Sequence, residues 1–211
     1  MTRPLVASAP SKGSRSAVFL DRDGAINKMI YNPDFGLVDS PSNVNQFELL
    51  PGVGEAVHTI NEMNLLSIVV SNQPGIAKGK FSRAILDGIT QKMKHALADS
   101  GGLTDVFYCL HHPDAIVHEY RVTCDCRKPK PGLLKQAAAK LNVDLRSSYM
   151  VGDGLTDVLA GKAAGCRTIL LGKRKCDLCE VMSERNAWPD FIVSDLVEAI
   201  RLIQRERYRT A

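Results

Sequence analysis

No apolar run in these 211 residues approaches the roughly 18 that a membrane-spanning helix needs, so nothing in the chain reads as a transmembrane segment. The opening MTRPLVASAPSKGSRS carries basic side chains but lacks the apolar stretch of about 7–15 residues of a secretory signal. Residues 1–16 therefore read as a loose tail on a cytoplasmic protein, followed by one domain over 17–206 and a short tail over 207–211. Aromatic residues are sparse at 6%, with one tryptophan, and the net charge is only +4. A nucleic-acid groove, which wants basic and stacking side chains together, is poorly supplied. Internal repeats and low-complexity segments are absent. The length suffices for one domain with a substantial core and would be cramped for two. With no secretory signal, the six cysteines point to free thiols or metal ligands rather than disulfides.

Short β-branched or aromatic runs recur at 17–20, 65–70, 106–110, 148–151, 167–171 and 191–193, and read as buried parallel strands. Helix-like stretches lie between them at 53–63, 82–98, 131–141, 155–164 and 195–206. In the second, Ile85, Ile89 and Met93 with Leu86 and Leu97 form one stripe, and Ser82 is placed as its N-cap. This alternation predicts an α/β fold, a doubly wound and mostly parallel sheet. Two stretches break the rhythm: 27–50, full of turn residues where a helix should begin, and 111–130, a long loop rich in His and Cys. Both are candidates for capping or metal-binding elements.

The first strand runs straight into Asp21-Arg22-Asp23-Gly24, at the strand end where open α/β sheets bind ligands. Alternate residues of an extended stretch face the same way, so both acids can share a cleft. One carboxylate can attack phosphorus while the other protonates the leaving oxygen, given a cation to offset their repulsion. An Asp-x-Asp-Gly turn by itself is often only a solvated turn. The second strand ends in Ser71-Asn72-Gln73-Pro74-Gly75, which offers a hydroxyl and two side-chain amides to phosphate oxygens. The fourth ends in Gly152-Asp153-Gly154-Leu155-Thr156-Asp157, and Asp153 is placed to ligate magnesium. Arg127 and Lys128, just before Pro129, can clamp phosphoryl charge as it develops. Four such signals beside strand ends, in a serviceable order, outweigh the ordinary reading of each.

DRDGAIN, VVSNQPGIAKGKF, CDCRKPKPG and YMVGDGLTD together resemble the four motifs of haloacid dehalogenase (HAD) phosphatases. In particular they are similar to the D-glycero-D-manno-heptose 1,7-bisphosphate and histidinol-phosphate phosphatase family, over about residues 17–172. The resemblance implies a HAD-like Rossmannoid without a large cap domain. It implies Asp21 as nucleophile and Asp23 as general acid, then base. Magnesium would sit on Asp21, the Asp23 main-chain carbonyl and Asp153; Ser71 and Lys128 would stabilise the phosphoryl group, and Asn72 and Arg127 would help recognise substrate. Three departures stand out: Ala25 where the family usually has Thr, Gly154 where heptose bisphosphatases typically carry Lys, and a longer 28–50 segment.

Cys109-Leu110-His111, twelve residues, then Cys124-Asp125-Cys126 supply three thiolates and an imidazole, a full tetrahedral set for structural zinc within a loop over 109–126. His112 competes with His111 but is less favoured by spacing, and the resembled family has the same arrangement. Cys176 and Cys179 read as free thiols on a surface turn. The expected activity is magnesium-dependent hydrolysis of a small phosphorylated sugar, most of all the 7-phosphate of heptose 1,7-bisphosphate, by a monomer. Histidinol phosphate is the alternative substrate. A nucleic-acid 3′-phosphatase and a non-catalytic zinc-stabilised interaction module are more distant rivals.

Overall fold

The computed structural model describes residues 14–32, 37–172 and 181–209. Six strands form one sheet: β1 (Ala17–Leu20), β4 (Leu66–Asn72), β5 (Asp105–Cys109), β6 (Tyr149–Gly152), β7 (Arg167–Leu171) and β8 (Phe191–Val193). Their order is β5-β4-β1-β6-β7-β8 and every pairing is parallel. From β1 the chain runs outward through β4 to β5, then returns to the other side of β1 as β6. The sheet therefore changes direction between β1 and β6, and open α/β sheets form their ligand crevice outside the carboxyl ends at such a point.

Both faces are covered, which explains the unbroken apolar runs. On one face Val18 and Leu20 meet α1 (Val53–Glu62), α2 (Arg83–Ala96) and α5 (Leu196–Arg209) through Val57, Ile60, Met93, Ile200 and Ile203. On the other, Ala17 and Phe19 meet α3 (Gly132–Leu141) and α4 (Leu155–Ala164) through Leu133, Ala137 and Ala160. The period-two alternation of β1 thus feeds two separate cores. In α2 the predicted stripe is buried at Leu86, Ile89 and Met93, each worth about 1.5–3 kcal/mol when removed from water. Ser82 caps it, its hydroxyl oxygen accepting the Ile85 N–H.

The 27–50 stretch contains a separate antiparallel hairpin, β2 (Ile30–Asn32) and β3 (Leu37–Asp39). Tyr31, Leu37 and Val38 stand exposed on it, and Lys80 from the loop after β4 pairs with Asp39. This hairpin is all that occupies the place of a cap among the described residues. Strands of three residues are too short to declare a period in sequence, so only the break in rhythm announced it.

Most of the expected N-terminal tail, and Cys176 and Cys179, lie outside the described residues. Arg15 already exchanges backbone hydrogen bonds with Asn142 and Asp144, so the chain joins the domain before residue 17. At the other end α5 continues past the expected boundary to Arg209. Among the described residues, no helix is long and apolar enough to cross a membrane.

Candidate active site

Asp21 follows β1 directly, and its backbone N–H donates to the Val151 carbonyl at 2.9 Å, tying it to the end of β6. Asp153 follows β6. Carboxylate oxygens of Asp21, Asp153 and Asp157 lie within 4.8 Å of one another. This crowding depends on Gly24, at φ 80°, because a Cβ there would stand 2.1 Å from Asp153 Oδ2. Among the described residues, the cation inside the group is Lys128, which is 3% exposed. Its Nζ lies 2.9 Å from Asp21 Oδ1 and 2.5 Å from Asp157 Oδ1, and donates to the Val70 carbonyl at 2.9 Å.

Three carboxylates against one ammonium leave two negative charges uncompensated in a cleft of hard oxygen donors, the chemistry that suits magnesium. Asp157 is buried and occupied by Lys128 and by the Gly154 N–H at 3.1 Å, whereas Asp153 is exposed and Asp21, although paired with Lys128, is only partly buried. Without a cation the charges act on one another. Asp153 is pushed up to about 6, first by the protein crowded around it and then by the Asp21 carboxylate. Lys128 is raised above its ordinary value, because Asp157 and Asp21 outweigh the burial that would lower it.

Asp23 is bound by different partners. Arg22, wholly buried, reaches both its oxygens, and Gln73 and Asn27 donate to it at 2.6 and 3.0 Å. The sequence reading assigned Gln73 to substrate; the side chain is fully buried, and its amide is given to Asp23 and to the Ser71 hydroxyl oxygen at 3.1 Å. Asn72, also expected at the substrate, forms a reciprocal pair with the Lys128 backbone: its Nδ2 donates to the Lys128 carbonyl and its Oδ1 accepts the Lys128 N–H, both at 3.0 Å. It holds the lysine's loop in place. Ser71 is buried at the end of β4, and Arg127 donates to the His111 carbonyl at 3.2 Å. Sequence reasoning missed Arg22 and Asn27, and noticed Asp157 without assigning it a role. Their types and spacing are ordinary for a turn and a helix start, and only burial marks them out.

Cys109, His111, Cys124 and Cys126 come together as a group that could hold a metal ion. Cys109 Sγ stands 3.6 Å from Cys124 Sγ, Cys126 Sγ is 3.2 Å from both, and His111 Nδ1 is 3.4 Å from Cys126 and 3.9 Å from Cys109. All three thiols are free, and a tetrahedron with about 2.3 Å bonds to sulfur has edges of about 3.8 Å, so the donors fit one zinc ion. His112 is turned elsewhere, its Nδ1 accepting the Asp114 N–H at 3.1 Å. The cluster touches the cleft twice: the Cys109 carbonyl accepts the Gln73 N–H at 2.7 Å, and Cys126 is followed at once by Arg127 and Lys128.

A parallel sheet reversing between β1 and β6, with an Asp-x-Asp turn, a buried lysine and a further aspartate meeting at that reversal, is the arrangement of a HAD-like hydrolase. A family model described as HAD-hydrolase-like matches residues 125–199. The chain is 39% identical over 190 residues to the D-glycero-beta-D-manno-heptose-1,7-bisphosphate 7-phosphatase of Escherichia coli, covering 90% of this chain and 95% of that one. It is 42% identical over 159 residues to the enzyme of that name from Vibrio cholerae, covering 75% and 81%. A crystal structure of D,D-heptose 1,7-bisphosphate phosphatase from B. bronchiseptica, complexed with magnesium and phosphate, superposes with a TM-score of 0.73 at 29% identity, over 90% of this chain and 99% of that one. The chain belongs to the heptose 1,7-bisphosphate 7-phosphatase family of HAD-like phosphatases. It is a phosphate-ester hydrolase.

Proposed function

We propose that this enzyme removes the 7-phosphate of D-glycero-D-manno-heptose 1,7-bisphosphate in two steps that share Asp21 and Asp23. Asp21 attacks phosphorus in line, the bond from phosphorus to the sugar oxygen breaks, and Asp23 gives its proton to that oxygen. Water then attacks the aspartyl phosphate, Asp23 takes the proton, and Asp21 recovers its carboxylate. The observation that carries this reading is the Asp21 carboxylate at the end of the central strand with the Lys128 ammonium 2.9 Å away. A nucleophile held beside a fixed cation meets the charge of the phosphoryl group without waiting for solvent to reorganise.

Lys128 and the Ser71 hydroxyl stabilise the phosphoryl oxygens, and Arg127 helps recognise the substrate. Magnesium held by Asp21, Asp153 and the Asp23 main-chain carbonyl would offset the charge between carboxylates and phosphate. Zinc held by Cys109, His111, Cys124 and Cys126 would have four protein ligands, and its part would be to stiffen the loop that carries Lys128. Thiols held for a metal rather than paired as disulfides favour work in a reducing cytoplasm.

The substrate rests on the names of the E. coli and V. cholerae relatives and on the intact catalytic set. Phosphate release from heptose bisphosphate, its monophosphate, histidinol phosphate and a 3′-phosphorylated oligonucleotide is the test, with Asp21→Asn alongside. Heptose bisphosphate should be turned over fastest, and Asp21→Asn should lose at least a thousandfold while melting like the parent. Asp21→Asn activity within tenfold of the parent would sink the covalent route. Fast turnover of histidinol phosphate alone would move the substrate assignment.

A further inference from the structure

Arg22 is among the largest fully buried side chains, and the two-step chemistry gives it no task. Its guanidinium lies over the Tyr108 ring, 5.7 Å from the centroid, and its fork is turned on Asp23. Nη2 donates to Oδ1 at 2.9 Å and to Oδ2 at 3.0 Å, and Nε donates to Oδ1 at 3.2 Å. Asn27 Nδ2 adds a bond to Oδ1 at 3.0 Å and Gln73 Nε2 one to Oδ2 at 2.6 Å. Donors on both oxygens fix the plane of this carboxylate.

The three donors are all 0% exposed. Each also leaves one buried polar atom without a partner among the described residues: Arg22 Nη1, Asn27 Oδ1 and Gln73 Oε1. Buried ion pairs with unmet groups are a poor way to stabilise a fold, and apolar side chains of similar volume commonly do better. What the arrangement does achieve is one fixed position for the Asp23 carboxylate.

Building on the assignment of Asp23 as acid and base, we propose that Arg22, Asn27 and Gln73 are positioning residues that fix the Asp23 carboxylate for hydrolysis of the aspartyl phosphate. In that step the water oxygen bonds to phosphorus and the bond from phosphorus to Asp21 breaks, its electron pair returning to the Asp21 carboxylate, while the water proton passes to Asp23. Gln73 is the member that reaches across from the end of β4. Its contact with Ser71 Oγ at 3.1 Å holds the Gln73 amide in place from the other side.

The test uses the magnesium-loaded enzyme and p-nitrophenyl phosphate, whose leaving phenolate needs no proton. In Gln73→Met the phosphorylation of Asp21 should survive and its hydrolysis should slow. The expected record is a rapid burst of nitrophenol matching the enzyme concentration, kcat down roughly 10- to 100-fold, and KM falling in step with it, so that kcat/KM stays within about twofold of the parent. Gln73→Leu, which likewise removes the donor, should lose as much, and carries the same test should Gln73→Met not fold. A raised KM without a burst would make Gln73 a substrate contact and overturn the proposal, as would unchanged kinetics. Asp23→Asn separates the two levels. If it turns over like the parent, the assignment of Asp23 itself fails; if it is crippled while both Gln73 variants are intact, only the positioning role fails.

Discussion

One ammonium at Lys128 serves both Asp21 and Asp157, and the two pairings differ in kind. Asp21 faces the cleft, whereas Asp157 is 2% exposed and has no solvent to fall back on. Lys128→Met should therefore lower stability by about 3–5 kcal/mol, because it strands a buried carboxylate. Adding Asp157→Leu should restore most of that loss in denaturant melts while activity stays absent, and a single variant as stable as the parent would contradict the pairing. Asp153 sets a pH dependence. Its folded-state value of about 6 lies above that of an unfolded carboxylate, so in the metal-free protein its stabilising contribution is full below about 4 and is lost as pH rises through about 6. Magnesium needs the ionised carboxylate and should reverse that loss, so the rise in Tm on adding magnesium should be larger at pH 8 than at pH 5. Equal rises at both would mean that Asp153 is not a ligand.

At the scale of elements, the sequence showed most of what the structure contains. Among the described residues, the six sheet strands and helices α1 to α5 fall within a few residues of where apolar runs and stripes put them, because both signals come from burial on a regular lattice. The β2–β3 hairpin escaped because it packs into neither core, so no periodicity betrays it. The site divides in the same way. Groups at strand ends, such as Asp21, Ser71 and Asp153, were legible from position, whereas the tasks of Asn72 and Gln73 depend on partners dozens of residues away, which no local pattern encodes. The zinc loop was legible because ligand spacing is itself a pattern. The purified protein should hold about one equivalent of zinc, and Cys124→Ser with Cys126→Ser should lower Tm markedly. Melting unchanged by that pair would remove the metal from the account. Gly154 bears on specificity: with φ −109° it needs no glycine, and an added Cβ would meet Thr156 Oγ1 and Asp157 Oδ2 at 3.3 Å, a modest crowding. Gly154→Lys should fold and raise kcat/KM for the bisphosphate over the monophosphate by about ten- to a hundredfold, the worth of one charge-assisted contact. An unchanged ratio would show that another basic group already serves the second phosphate.

Across the whole molecule, the charged groups of the cleft, from residue 21 to residue 157, converge only because the chain goes out along one half of the sheet and comes back to complete the other. The strand that leads into Asp21 lies inside the finished sheet but is the first to be made. It pairs with β4 over Ala17 to Leu20, and its second neighbour, β6, begins only at Tyr149. On the ribosome, the emerging polypeptide therefore carries an open, wholly apolar strand edge for as long as it takes to synthesise well over a hundred residues. Unpaired edges of this kind recruit other chains. The same winding that builds the crevice thus leaves one edge of the first strand without its native neighbour until the final third of the chain is being translated.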